Sequence, residues 1–93
     1  MDGEIIHLLK EIKQRIKDDS DVFWTNYDTV DDIRKHIDNC ILRLQNGDKD
    51  VLTDINIDFA PTSTFQELSI QNGWSDDYMI LANKFDGIYK RQR

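Results

Sequence analysis

Asp28-Thr-Val-Asp-Asp-Ile-Arg-Lys-His-Ile-Asp-Asn-Cys-Ile-Leu-Arg-Leu-Gln-Asn-Gly47 decides the fold class. Val30, Ile33, Ile37, Cys40 and Leu44 recur at alternating spacings of three and four, the repeat of one face of an α-helix. Ile41 broadens that stripe. Asp28 or Thr29 offers an N-cap oxygen for the first free backbone N–H groups. Asn46-Gly47 offers the stop, with glycine suited to the left-handed position just past a helix end. At about 100° per residue, Asp31, Asp32, Lys35, Asn39 and Leu42 point away from the stripe. Leu42 is an apolar residue on an otherwise polar face, so it either widens the core or sits in an interface.

Toward the N-terminus, Ile5, Leu9, Ile12 and Ile16 repeat the helical spacing, with Leu8 beside them, and predict a helix from about Glu4 to Lys17. Arg15 and Lys17 suit the negative end of its dipole. Residues 18–28 then form an acidic, aromatic connection, longer than most links in a helical bundle. Phe23 and Trp24 within it either plug one end of the core or leave a ring exposed as a binding anchor.

Toward the C-terminus, Val51, Leu52 and Ile55 suit a short helix begun by Asp48. Ile55, Ile57 and Phe59 also alternate with Asn56 and Asp58, which is strand periodicity. A lone strand would leave its backbone without a partner. The preferred reading is therefore a helix ending near Asn56, then an extended stretch into Ala60-Pro61. Thr64 and Glu67 match a capping box that opens a helix through Phe65, Leu68 and Ile70. Asn72-Gly73 stops it, and Trp74 can fold back on Leu68. Ser75 caps a last helix with Asp76 and Asp77 in its first turn. Tyr78, Leu81, Ala82, Phe85 and Ile88 or Tyr89 form its buried stripe, which Gly87 ends or weakens. The sum is an all-α protein, an irregular bundle of four to five helices in a single domain spanning residues 1–93.

The charge is one-sided. Eighteen acids stand against twelve bases, and fifteen of the acids are Asp. Asp serves helix starts better than helix interiors. The excess is read either as solubility or as complementarity to a basic partner, which speeds encounter more than it tightens a complex. No nucleic acid is expected as partner, because phosphate contacts need clustered Lys and Arg and the sole cluster is Lys90, Arg91 and Arg93. A single cysteine, Cys40, allows no disulfide within the chain. The start Met1-Asp2-Gly3-Glu4 lacks the features of a signal peptide, and no apolar run reaches membrane-spanning length. A cytoplasmic protein without a membrane partner is expected.

The search for chemistry is negative on sequence. Asp54, Asn56 and Asp58 imitate the first ligands of a calcium loop, but Phe59 and Phe65 occupy the positions that need Gly and Glu. His36 and Cys40 lie four apart and can share a helix face, yet two ligands do not make a zinc site, and His7 supplies no obvious third and fourth. Ser63, Ser69 and Ser75 sit in cap-like or helical positions without a nucleophile elbow. No enzyme, cofactor or metal is expected.

What remains is surface. One acidic stretch holds Asp18, Asp19, Asp21, Asp28, Asp31, Asp32 and Asp38; a second holds Asp48, Asp50, Asp54 and Asp58. A helical hairpin across Asn46-Gly47 would bring both to one side, near Trp24, Tyr27 and Leu42. Capping explains Asp28, Asp48, Asp76 and Asp77. The candidate partner-binding residues are therefore Trp24, Tyr27, Asp31, Asp32, Leu42, Asp50, Asp54 and Asp58.

The segment Phe59-Ala-Pro-Thr-Ser-Thr-Phe-Gln-Glu-Leu-Ser69, with Asn72-Gly-Trp-Ser-Asp-Asp-Tyr78, Leu81-Ala82 and Phe85-Asp86, resembles a segment of small bacterial proteins. Some of those resemble the immunity proteins that accompany secreted bacterial toxins. The short, acidic, helical profile is also similar to the colicin-nuclease immunity proteins. The resemblance implies a protein that binds and neutralises a basic toxin domain; no site residue is carried over from it. The alternative is a structural or regulatory interaction module. A monomer or weak homodimer is expected.

Overall fold

Thr29 caps the central helix as its position predicts: in a computed structural model, its side chain accepts from the Asp32 amide at 3.1 Å. The structure describes residues 2–61 and 63–91; Arg93 of the basic C-terminal cluster lies outside them. Five helices follow in order: α1 (Asp2–Arg15), α2 (Val30–Gln45), α3 (Val51–Asp58), α4 (Thr64–Gln71) and α5 (Ser75–Arg91). Among the described residues the secondary structure is entirely helical, as expected.

The stripes become one core. Ile5, Leu8, Leu9 and Ile12 of α1 meet Ile33, Ile37, Cys40 and Leu44 of α2, all buried. α1 packs on α2 and α5, α4 on α5, and α3 on α2. The radius of gyration is 12.4 Å, which is what a single compact chain of this length should have. Ile16 is buried although α1 has already ended at Arg15. Arg34 ties that end down, donating to the Ile16 carbonyl at 3.0 Å and to Asp18 at 2.7 Å.

Two helix ends are built alike. Gly47 and Gly73 have φ of 81° and 82°, the left-handed region where a side chain is strained. After Gly47, the Asp48 amide reaches the Arg43 carbonyl at 2.9 Å; after Gly73, the Trp74 amide reaches the Ser69 carbonyl at 2.9 Å. Both are Schellman ends. Asp48 holds the turn that leads into α3, accepting from the Asp50 amide at 3.0 Å, while Asp50 occupies the N-cap position without a side-chain cap bond. Three expectations need correction. α3 continues past Asn56 to Asp58, and the chain turns through residues 59–61 instead of running extended. Ile55 and Phe59, four apart, are both buried while Ile57 between them is exposed, so what reads as alternation is a helical face. The capping box at Thr64 is displaced, because Ser63 holds the N-cap position and makes no side-chain cap bond. Ser75 is likewise the first residue inside α5 rather than its cap, and the Trp74 carbonyl receives the Tyr78 amide at 2.9 Å.

Gly87 does not end α5, which runs to Arg91. A Cβ built there meets nothing within 4 Å. Gly87→Ala should therefore stabilise the protein by roughly 0.5–1 kcal/mol, by lowering the chain entropy lost on folding. Urea unfolding measures this directly, and a destabilised variant would contradict the open environment.

Aromatic rings join the second half of the chain. Phe59 stacks on Phe85 with centroids 4.5 Å apart and meets Phe65 edge-on at 5.1 Å. Tyr78, 2% exposed, donates its hydroxyl to the Phe59 carbonyl at 3.1 Å. Burial first, then the Asp58 and Asp86 charges, push Tyr78 from 10.0 up to about 12. The folded state thus holds that proton more tightly than the unfolded chain. Its contribution is complete below pH 10 and is lost as pH rises through about 12. Tyr78→Phe should cost about 1–2 kcal/mol at neutral pH, leaving a buried carbonyl unpartnered. Its stability should also fall less steeply than the wild type's across that alkaline window. Denaturant melts at a series of pH values compare the two slopes.

Candidate functional site

The connection between α1 and α2 is a built platform. Asp21 and Asn72 clasp it to the end of α4: the Asp21 amide donates to Asn72 Oδ1 at 2.8 Å, and Asn72 Nδ2 donates to the Asp21 carbonyl at 2.9 Å. Asp21 Oδ1 also accepts from the Phe23 amide at 2.9 Å. The Thr25 amide closes a tight turn on the Val22 carbonyl at 3.0 Å, and the Thr25 hydroxyl reinforces it at 2.7 Å. Phe23 and Trp24 occupy the two corners of that turn. They do not plug the core: Phe23 is 75% exposed and Trp24 68%. Their rings meet edge-to-face, with centroids 4.9 Å apart. The neighbours Val22 and Tyr27 pack inward against the core and leave the two large rings outside.

Three acids around this turn are free of ionic partners among the described residues. Asp19, Asp21 and Asp28 are exposed and make no ion pair among the described residues. Elsewhere several bases are paired. Arg34 pairs with Asp18 and Asp31, Arg43 with Asp48 and Asp54, and Lys13 with Asp38.

The eight residues expected to bind a partner are distributed over the α1–α2 connection, α2 and the start and body of α3. Trp24 stands out on the turn. Tyr27, Asp54 and Asp58 line one small cleft, and Asp31 lies in another with Asp18 and Asp28. Asp32 and Asp50 are exposed without an ion pair among the described residues. Leu42, 55% exposed, is on the outward face of α2 and lines neither cleft. Asp58 departs from the expectation of an exposed acid, because it is 6% exposed. Its position follows from helix geometry: Val51, Ile55 and Asp58 fall on one face of α3.

Asp58 is buried against α2. His36 Nε2 lies 2.6 Å from Asp58 Oδ2, a distance that needs a proton between them. Cys40 Sγ lies 3.8 Å from the same nitrogen. The Asp58 hydrogen bond, then the Cys40 contact, raise His36 from 6.5 to about 10 against the opposing effect of burial. His36 is therefore an imidazolium at neutral pH. Cys40 and Asp58 address one ring nitrogen, whereas a cysteine–histidine–carboxylate relay uses both. The trio does not form such a relay. Sequence reasoning paired His36 with Cys40 and lacked the third member, since Asp58 arrives from another helix.

A groove of about 730 Å³ lies between α1 and α5, where Gly3, Leu8, Gly87 and Ile88 line it. Among the described residues no helix is long and apolar enough to cross a membrane. No protein-family model, curated protein or solved structure matches the chain.

Proposed function

We propose that this protein is a binding protein of the immunity or antitoxin type, which neutralises a basic bacterial toxin domain by covering its active surface. The observation that carries the reading is the exposed Phe23–Trp24 pair, held on a hydrogen-bonded turn among unpaired acids. Large aromatic rings are costly to leave in water and are favoured anchors at the centre of interfaces. A turn already fixed before binding loses little further entropy when it docks. Asp19, Asp21 and Asp28 around it suit a cationic partner surface, which they would attract before contact. The short acidic helical chain and the resemblance of residues 59–86 supply the toxin-directed part of the proposal.

Co-expression with a toxin domain encoded beside it tests the reading. Relief of toxicity, with an association rate that falls steeply as salt is added, is the expected result. Failure to relieve the toxicity of any such neighbour would sink the proposal.

A further inference from the structure

The structure brings three metal-ligating side chains to one point away from the Phe23–Trp24 turn on which the proposed function rests. Nε2 of His36, Sγ of Cys40 and a carboxylate oxygen of Asp58 all lie within 4.8 Å of one another. His36 and Cys40 project from successive turns of α2, and Asp58 crosses to them from the last residue of α3. We propose that His36, Cys40 and Asp58 form a binding site for a zinc ion, with the fourth position taken by water from the adjoining cleft.

Geometry supports the assignment. Zinc bonds of about 2.0–2.3 Å in tetrahedral array place ligand atoms about 3.2–3.8 Å apart. The Cys40–His36 separation of 3.8 Å already lies at that spacing. The His36–Asp58 separation of 2.6 Å is that of two groups sharing a proton, and it must open by roughly 0.6 Å when a larger cation takes the proton's place. Part of the His36 ring is exposed, with 25% of its side chain accessible, so it has room to recoil. The donor set also discriminates. A thiolate and an imidazole suit zinc, while calcium and magnesium prefer oxygen alone.

Access is one-sided. Cys40 is 1% exposed and Asp58 6%, so both reach the site from the protein interior. The open side is a cleft that His36 and Asp58 share with Asn26, Tyr27, Asp54 and Ile57. Three protein ligands with one open position describe a zinc site that keeps a water, not a closed structural one. Binding is a proton exchange: the ion replaces the proton on His36 Nε2 and the thiol proton of Cys40, and both protons leave to solvent. The bound ion would fasten the last residue of α3 to α2, in addition to the Gly47 turn that joins the two helices ahead of Val51.

Titration of the purified protein with cobalt(II), then with zinc, tests the site. One equivalent of cobalt should give the ligand-field bands of a tetrahedral ion and thiolate-to-cobalt absorption, both displaced by zinc. Saturating zinc should raise the thermal midpoint by more than about 5 °C, whereas calcium and magnesium should leave it unmoved. His36→Ala, Cys40→Ser and Asp58→Asn should each weaken zinc by at least about tenfold. His7→Ala, which alters the exposed His7–Glu11 pair, should have no effect. A wild-type protein without thiolate-to-cobalt absorption overturns the proposal, whatever the variants do. So does zinc binding of unchanged strength in all three variants.

Discussion

Phe85→Ala should lower the stability of the protein by about 4 kcal/mol, the largest effect expected of any single core change. Phe85 is wholly buried, with Phe59 stacked on one side at 4.5 Å and Tyr89 at 5.6 Å. Phe59 carries the contact onward to Phe65, edge-on at 5.1 Å. The Phe59–Phe85 stack therefore joins the end of α3, the start of α4 and the middle of α5. Truncation removes its own transfer free energy and leaves a cavity between helices that are too short to close over it. A domain of this size has on the order of 5–14 kcal/mol in total, so the loss takes a large share. The thermal midpoint should drop by roughly 20 °C. Phe85→Leu, which keeps most of the volume, should lose less than half as much. A loss below about 1 kcal/mol for the alanine variant would mean that the stack does not hold these helices together.

The same cluster shows why the fold was legible and part of the site was not. Ile33, Ile37, Cys40 and Leu44 are separated only by helical spacing, and one rule places all of them on one face. Ile5 through Ile12 obey it too, and every residue named on those two stripes except Val30 is buried. The stretch from Val51 to Phe59 obeys two rules at once, since residues two apart are also members of sets four apart. Reading its end as extended put Asp58 on the surface. Continuing the helix two residues further puts Asp58 on the Val51–Ile55 face and so against His36. That pairing is tertiary, and the spacing of His36 and Cys40 holds only half of it. Phe23 and Trp24 illustrate a different limit. Composition favours burying them, and only the hydrogen bonds of Asp21, Thr25 and Asn72 decide that the turn points them outward.

Those outward rings carry the second large prediction. In a complex with the proposed toxin partner, Phe23→Ala and Trp24→Ala should each weaken affinity by about 30-fold or more, and the double variant by about 1,000-fold. Stability of the free protein should change by less than about 0.5 kcal/mol. The contrast follows from where the rings make their contacts. In the free protein they touch water and each other. The turn beneath them is held by backbone groups, by Thr25 and by the Asp21–Asn72 clasp, none of which the substitutions remove. Loss of affinity should therefore appear as faster dissociation. Replacing Asp19, Asp21 and Asp28 by Asn should act differently, slowing association and flattening its dependence on salt, because exposed charges steer encounter more than they hold the docked state. Binding kinetics at several salt concentrations separate the two kinds of variant. If the double aromatic variant bound as tightly as the wild type, the anchor would not be on this turn, and the function proposed from it would lose its basis.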